Sequence, residues 1–571
     1  EQKNLRLERQ AYWYGPMMDT PNRWCDTDKH GPYLDDAVNH TIDFIRNMQP
    51  PQAAQYEELV AQGKMKDVHD AVDAIGAVPL EVNHYVYRAI KWSLKTGKHK
   101  SVNEFPALVQ DPEPERLSDT EFAALDLHDQ ISVAREWEDV IKFNNATIGN
   151  QTNLNRHRML ALRMMRQQRR KDINGFALPA NCDYRGRVYP IPDFNYQKAD
   201  YMRSLFLFHN KTEVNEQTVA DIRIQLTNSY GNGEDKGSQR QLEEWAIKNE
   251  ASIILVGQDF KADTPITIYA SDSGGWSEIE TTVFDFWSQA DAPFQFVAAC
   301  HEMRNYRKHG EGYLTGLPVA RDATQSGVQH YSLALRHTKD AKRVNLVDWQ
   351  ENDPTPKDFY AECLVEAKIL IQQSLDANLQ DQAADPVTEE DKTAYSDHLL
   401  RMKRLRELKD DDGKYEEQKR WKKTDAAARF KRDTEILSAQ QVQAWYDGPY
   451  LPYNRKVIKR NCMTYCYSSR QFGFSQQLRK DWLDELSKMV RNPEHPLQEH
   501  PFGTDKGFAV ATFLGGIHEK AIEKIITSAS IGMKFLCDLT KVLAKENCHL
   551  TFVNPVGFPM QQHYCETKRG H

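Results

Sequence analysis

The chain has 571 residues, a formal net charge of -8 and a mean hydropathy of -0.71. That length can bury several cores, and usual domain sizes divide it into three or four units or one large multi-lobed body. No run of about 18 apolar residues occurs, which excludes a membrane-spanning helix, and nine cysteines without framework spacing point to free thiols in a reducing compartment.

In chain order, the sequence starts at Glu1 with no initiator Met and no apolar signal-like region after it, so it reads as a processed, trimmed or partial polypeptide. Mixed apolar and polar periodicity predicts helices over 36–48, 53–61, 66–74, 82–93, 119–124, 128–143 and 155–171. Turn clusters at Gln49-Pro50-Pro51 and Asp111-Pro112-Glu113-Pro114 separate them. Arg156 to Lys171 carries many cations and no acid. On an acidic chain this is either a track for nucleic-acid phosphates or a solvated basic face balanced by neighbouring acids. The segment F-A-L-P-A-N-C-D-Y-R-G-R-V-Y-P-I-P then predicts a short strand and a turn, with Asp183, Arg185, Gly186 and Arg187 where a ligand can approach the backbone closely. Gly231 to Gly237 lacks the preceding strand and the spacing of a phosphate cradle and reads as a plain loop; no G-x-x-x-x-G-K-[ST] occurs, which argues against P-loop chemistry.

Between Leu317 and Ser332 an apolar approach leads into Asp322, followed by small polar residues, Gly327 and a helix carrying Gln329 and His330. A carboxylate at a strand end can hold Mg2+ and leave positions open for phosphates; a lone Asp there also serves as a helix N-cap. Residues 374–434 are very rich in charge and predict a solvent-facing insertion, part helical and part mobile. Arg455 to Tyr467, R-K-V-I-K-R-N-C-M-T-Y-C-Y, predicts one helix. On it Arg455, Lys459, Met463 and Tyr467 recur every four positions and form a slowly winding stripe roughly 18 Å long, with two cations at one end and an aromatic ring at the other. Such a stripe suits a nucleoside triphosphate. With a carboxylate-bound metal to activate a hydroxyl and the Arg455, Lys459, Arg460 cluster to neutralise charge, the parts of a phosphoryl-transfer site are present. Cys462 and Cys466 lie four apart without a partner pair, so they are expected to pack the helix and not to bind zinc.

Three blocks, D-Y-R-G-R-V-Y, D-x-x-x-S-G-V-Q-H-Y-S and R-x-x-x-K-R-x-x-M-T-x-x-Y-x-S-x-x-F-G-F, are similar to signature blocks of the single-subunit RNA polymerases of bacteriophages and mitochondria, and in that family's order. N-P-V-G-F-P-M-Q-Q-H-Y, Asn554 to Tyr564, resembles a later block, and weaker similarity runs from about Val82 to Tyr564. The fold implied is α+β and predominantly helical, a right-hand polymerase of palm, fingers and thumb with a small antiparallel palm sheet. Residues 1–89 are expected as the remnant of an N-terminal promoter-side domain, 90–175 as thumb, 176–338 as palm with an insertion, and 339–571 as fingers carrying the charged insertion.

The resemblance implies that Asp322 is one of two aspartates holding two Mg2+ ions. Lys459 would contact the triphosphate and act as general acid toward pyrophosphate, with Arg455 and Arg460 clamping phosphates. Tyr467 would sit by the ribose, and Met463, Gly327 and Tyr360 would complete the nucleotide site. Arg185 and Arg187 match arginines that hold template and hybrid backbone. Ser326, Gln329 and His330 are expected on the nucleic-acid side, His330 in a structural or template-facing role. The implied reaction is DNA-directed RNA synthesis, with double-stranded DNA promoter and template, NTPs and an RNA transcript as partners, by a monomeric protein in the cytoplasm of a phage-infected host cell.

Family A DNA polymerases share the R-x-x-x-K helix and are the closest rival. They carry a bulky Glu five residues after the metal Asp, and an aromatic residue four after the Lys. Gly327 and Met463 stand at these positions here, which favours ribonucleotides. Two departures from the RNA polymerase pattern are Ser468, where Gly normally follows the tyrosine, and Ala323, where Gly commonly follows the metal Asp. The family's second metal aspartate lies in an H-D-containing hairpin beyond the G-F-P block, and no such motif precedes His571. It is expected from a C-terminal segment or a separate polypeptide; the alternative is a catalytically incomplete nucleic-acid-binding fragment.

Overall fold

The computed structural model describes residues 14–24, 31–34, 39, 42–47, 50–113, 116–124, 127–168, 175–272, 275–321, 323–347, 356–408, 410–491, 495–546, 548, 550–554, 557 and 559–562. The chain divides into two compact units, residues 1–321 with 549–563, and residues 322–548 with 564–571. Both are predominantly helical, and the strands among the described residues pair as two-stranded antiparallel ribbons.

In the first unit, helices α1 (Pro50–Ala61) and α2 (Lys66–Gly76) lead to strand β1 (Leu80–Val82) and helix α3 (His84–Thr96). The start of α3 is set by Asn83, whose side chain accepts hydrogen bonds from the Tyr85 and Val86 amides at 3.0 and 3.1 Å; its end is set by Gly97 at φ 75°. Of the helix predicted over 36–48, Asn39 is helical, but residues 42–47 run as coil, bend and turn, and Ile45 makes a parallel bridge to Cys182.

After α4 (Asp119–Ala124), the helices predicted over 128–143 and 155–171 prove to be parts of one 41-residue helix, α5 (Leu127–Gln167). The intervening N-N-A-T-I-G-N-Q-T-N is poor in helix formers but has no proline, and its amides are used for tertiary bonds. Asn144 exchanges two bonds with the Asp111 backbone at 2.8 and 2.9 Å, Asn150 donates to the Ala107 carbonyl at 3.1 Å, and Gln151 donates to that of Leu108. These bonds offset the weak local propensity.

Strands β2 (Ala180–Cys182) and β3 (Val188–Pro190) form the expected hairpin, in the register Asn181 opposite Tyr189. Strand β4 (Phe206–Phe208) pairs with β1, and β5 (Thr212–Glu213) pairs with β8 (Leu314–Thr315). Between them lie helices α6 (Glu216–Tyr230), α7 (Gln239–Lys248) and α8 (Glu250–Gln258), the β6–β7 hairpin (Pro265–Asp272 with Gly275–Thr282) and helix α9 (Pro293–His309). The core gathers Val86, Ile90, Phe206, Trp245, Trp287, Phe294 and Phe296. As expected, Gly231 to Gly237 is a connecting loop with one short turn of 3-10 helix.

The second unit is built from helices α10 (Ser326–Ala334), α11 (Phe359–Ala384), α12 (Glu389–Glu407), α13 (Asp411–Trp421), α14 (Asp425–Ala444), α15 (Arg455–Tyr465), α16 (Gln471–Leu478), α17 (Phe508–Ile525) and α18 (Thr527–Lys545). Its core includes Val328, Phe359, Cys363, Ile371, Ile458, Tyr465, Phe474 and Leu514. The charge-rich stretch is helical almost end to end. Thr388 makes a capping box with Asp391, Asp410 and Thr424 cap the next two helices, and Arg429 pairs with both Asp385 and Asp391 at 2.8 and 3.0 Å. The closing hairpin, β9 (Leu550–Val553) with β10 (Pro559–Gln562), belongs to the first unit.

Candidate nucleotide and nucleic-acid site

Helix α15 begins at Asn454, whose side chain accepts from the Lys456 amide at 2.9 Å. Ile458, Asn461, Cys462 and Tyr465 are buried at helical spacing, which turns Arg455, Lys459 and Met463 to the other side. The Arg455 guanidinium pairs with the Asp358 carboxylate and lies 5.0 Å from the centre of the Tyr360 ring; the Lys459 ammonium lies 5.9 Å from that same ring. Asp358 also caps α11, accepting from the Tyr360 and Ala361 amides at 3.0 and 3.2 Å, so one carboxylate organises both helices. Tyr360, Arg455 and Lys459 are thus brought together. Lys459 is exposed and, among the described residues, has no carboxylate partner, whereas Arg460 is held by Asp481 at 2.6 Å.

The predicted helix runs to Tyr467, but α15 ends at Tyr465. The Ser468 amide bonds back to the Tyr465 carbonyl at 3.1 Å and the Ser469 amide to that of Thr464 at 3.3 Å, with Ser468 at φ 67°. This is a Schellman ending, and its left-handed position is the one that glycine fills most easily. The position where the sequence pattern expects Gly is therefore the helix stop. Tyr467 lies on the turn that ends the helix and is 67% exposed; Met463, on the helix itself, is 45% exposed.

Leu317 to Arg321 forms no strand; the Ala320 amide donates to the Gln225 side chain at 2.9 Å, which fixes this approach as extended coil. Asp322 lies outside the described residues. Beyond it, Gln325 at φ 49° starts α10 and donates from its side chain to the Cys462 carbonyl at 2.9 Å. Gly327 is where α10 passes the end of α15: a Cβ there would lie 2.8 Å from Cys466 Cβ. The missing side chain is thus required by packing, whatever else it makes room for. Gln329 spends its side-chain donor on the Val344 carbonyl at 2.8 Å, and His330 Nδ1 donates to the Ser326 carbonyl at 2.7 Å; Ser326 and His330 are exposed, Gln329 half-buried.

In the first unit, the tip of the β2–β3 hairpin is built on Asp183. One carboxylate oxygen accepts the Arg185 and Arg187 amides at 2.9 and 3.0 Å; the other accepts the Arg185 guanidinium at 2.7 and 3.0 Å and the Tyr189 hydroxyl at 3.2 Å. Burial acts to raise the pKa of this carboxyl, but the combined hydrogen bonds from Arg185 and Arg187 hold it below the ordinary value. Gly186 at φ 85° closes the turn. Arg187 is left exposed, with no side-chain partner among the described residues. Asn554, leaving β9, donates to the Tyr184 carbonyl at 2.7 Å, so the late N-P-V-G-F-P block braces this tip. The basic end of α5 is divided: His157 is buried and bonds Asp193 at 2.8 Å, while Arg163 and Arg166 are exposed.

Among the described residues no group of three or more His, Cys, Asp or Glu side chains could hold a metal ion. These residues do not make a magnesium site on their own. Sequence reasoning also missed a polar chain beneath α15 that runs from the buried Tyr453, His518 and Asn461 to the half-buried Gln477. The available signal was Asn461, a polar residue at an apolar position of the helix pattern.

The model described as DNA-dependent RNA polymerase matches residues 212–571, and the chain belongs to that family. It is 23% identical to T7 RNA polymerase of Escherichia phage T7 over 543 residues, covering 91% of this chain and 50% of that enzyme. It is 27% identical to the mitochondrial DNA-directed RNA polymerase of Neurospora crassa over 354 residues, 61% of this chain and 22% of that one. With the chloroplastic/mitochondrial DNA-directed RNA polymerase 2 of Arabidopsis thaliana the identity is 23% over 558 residues, 96% of this chain and 44% of the relative. The chain spans about half the length of the phage relatives it matches.

Proposed function

We propose that the chain is the nucleotide-selecting and template-holding part of a phage-type RNA polymerase, adding NTPs to an RNA 3' end on a DNA template. The observation that carries this reading is the exposed Lys459, free of carboxylate partners among the described residues and aligned with Arg455 beside Tyr360, on the helix whose closing turn carries Tyr467. Lys459 meets the triphosphate and gives a proton to the departing pyrophosphate. Arg455 neutralises phosphate charge, exchanging Asp358 for the ligand, and Arg460 does the same from its pairing with Asp481. Tyr467 reads the ribose, and Met463 lies beside the base.

In this reading residues 1–89 are the remnant of a promoter-side domain, 90–175 thumb, 176–338 palm and 339–571 fingers with the charged helical insertion, with Arg185 and Arg187 on the template and hybrid backbone. Ser326 and His330 face nucleic acid, while Gln329 acts through the position of α10. Asp322 would hold one of two Mg2+ ions. The protein would work as a monomer on promoter DNA, in the cytoplasm of an infected host.

The test is extension of a primed RNA on a DNA template by the complete polymerase polypeptide. Lys459→Ala and Asp322→Ala are each expected to lose at least about a hundredfold in rate, and near-parental extension by either would overturn the assignment.

A further inference from the structure

Helix α15 rests on a chain of polar side chains whose direction is fixed. The Asn461 amide group donates to Gln477 Oε1 at 2.8 Å and to the Phe474 carbonyl at 3.4 Å, so its oxygen is an acceptor. His518 Nδ1, 2.6 Å from that oxygen, must carry the proton, and His518 Nε2 is left to accept from the Tyr453 hydroxyl at 2.7 Å. At the other end the single proton of the Thr464 hydroxyl is shared between Gln477 Oε1 at 3.1 Å and the Arg460 carbonyl at 3.0 Å, and Gln477 Nε2 donates to Ser469 Oγ at 3.4 Å. Thr464 and Ser469 bracket Tyr467 and are themselves joined by the longer bond of the Schellman ending.

Tyr453, Asn461 and His518 have no exposed surface. Burying such groups is costly unless each is paired, and an apolar set of similar volume would hold the helices together as well; what a fully satisfied network adds is one defined geometry. Helix α17, which carries His518, also fixes the far side of the turn, because the next residue, Glu519, accepts from the Gln471 amide at 2.8 Å.

We infer that Gln477, oriented through Asn461 by His518, is a positioning residue that holds the Tyr467 turn and so sets how strictly ribose is chosen over deoxyribose. The inference rests on the nucleotide-site reading above.

The test is Gln477→Met in the complete polypeptide, with two readouts: the ratio of kcat/KM for an NTP and its deoxy counterpart, and hydrogen exchange of the Ser468 and Ser469 amides. The variant is expected to lose roughly five- to tenfold in discrimination, the effect of about one hydrogen bond, through a higher KM for the NTP, with faster exchange in the turn. A His518→Asn, Tyr453→Phe pair keeps the donor to Asn461, removes the hydroxyl left without an acceptor, and is expected to discriminate like the parent. Unchanged discrimination and exchange in Gln477→Met overturn the positioning role. Faster exchange in a polypeptide whose parent extends no primer instead overturns the polymerase reading and leaves the role of Gln477 in the turn intact.

Discussion

Replacing Gly327 by alanine separates two reasons for a glycine there, space for a ribose hydroxyl and close approach of α10 to the end of α15. A Cβ at this position would lie 2.8 Å from Cys466 Cβ and 3.1 Å from its Sγ, where carbon atoms normally pack at about 3.5–4.0 Å. Both Cβ positions are fixed by their backbones, so relief requires the helix and the turn to move apart. Overpacking of this kind costs about 1–3 kcal/mol, and the better helix propensity of alanine returns up to about 1 kcal/mol. A net loss of about 1–2 kcal/mol is expected in urea unfolding followed by tryptophan fluorescence. Cys466→Gly removes both clashing atoms, so the alanine should be tolerated in the double variant, with a coupling of at least about 1 kcal/mol between the two sites. If Gly327→Ala is as stable as the parent, or if the two changes add within about 0.5 kcal/mol, the packing argument is wrong and the glycine serves the substrate alone.

Ser468→Gly relieves the left-handed conformation at φ 67° and should stabilise the second unit by about 0.5–1 kcal/mol, after the greater entropy of glycine in the unfolded chain is deducted; a loss of stability in the same unfolding assay would contradict the Schellman assignment. Tyr467→Phe should keep extension activity and admit more deoxynucleotides, and unchanged selectivity in a competition assay would count against Tyr467 as the ribose contact. Burial lowers the pKa of His518 to about 3, against about 6.5 in an unfolded chain. Between these values only the unfolded chain takes up the proton, so stability present above about pH 6.5 is lost as pH falls, by about 1.4 kcal/mol per unit. The His518→Asn, Tyr453→Phe pair should flatten that slope between about pH 6.5 and 4.5; an unaltered slope would place the titration elsewhere.

What the sequence made legible was local. The hairpin after Lys171, the helix with its cations four apart and the late G-F-P block each carry their signal within a dozen residues. What it hid depends on distant partners. Asn144, Asn150 and Gln151 look like a helix break until the backbone of 107–111 is seen to receive their hydrogen bonds. The last turn of the Arg455 helix has helical periodicity through Tyr467, and only the positive φ of Ser468 shows where it stops. Gly327 reads as empty space in the sequence and is filled by Cys466 in the fold. His518 gave no signal at all, since its partners lie at 453 and 461 on other segments.

Helix α5, at 41 residues and about 1.5 Å each, is roughly 60 Å long. Its described buried side chains include Asn144, Thr147, Leu154, His157 and Ala161. Such a rod is a lever whose fulcrum is the cluster of asparagines against 107–111. Because that fulcrum lies near mid-helix, each arm is roughly 30 Å, and a tilt of about 5° there would carry either end through roughly 2–3 Å, from rigid-rod geometry and the helix rise, so a small rearrangement at the fulcrum is amplified toward both tips.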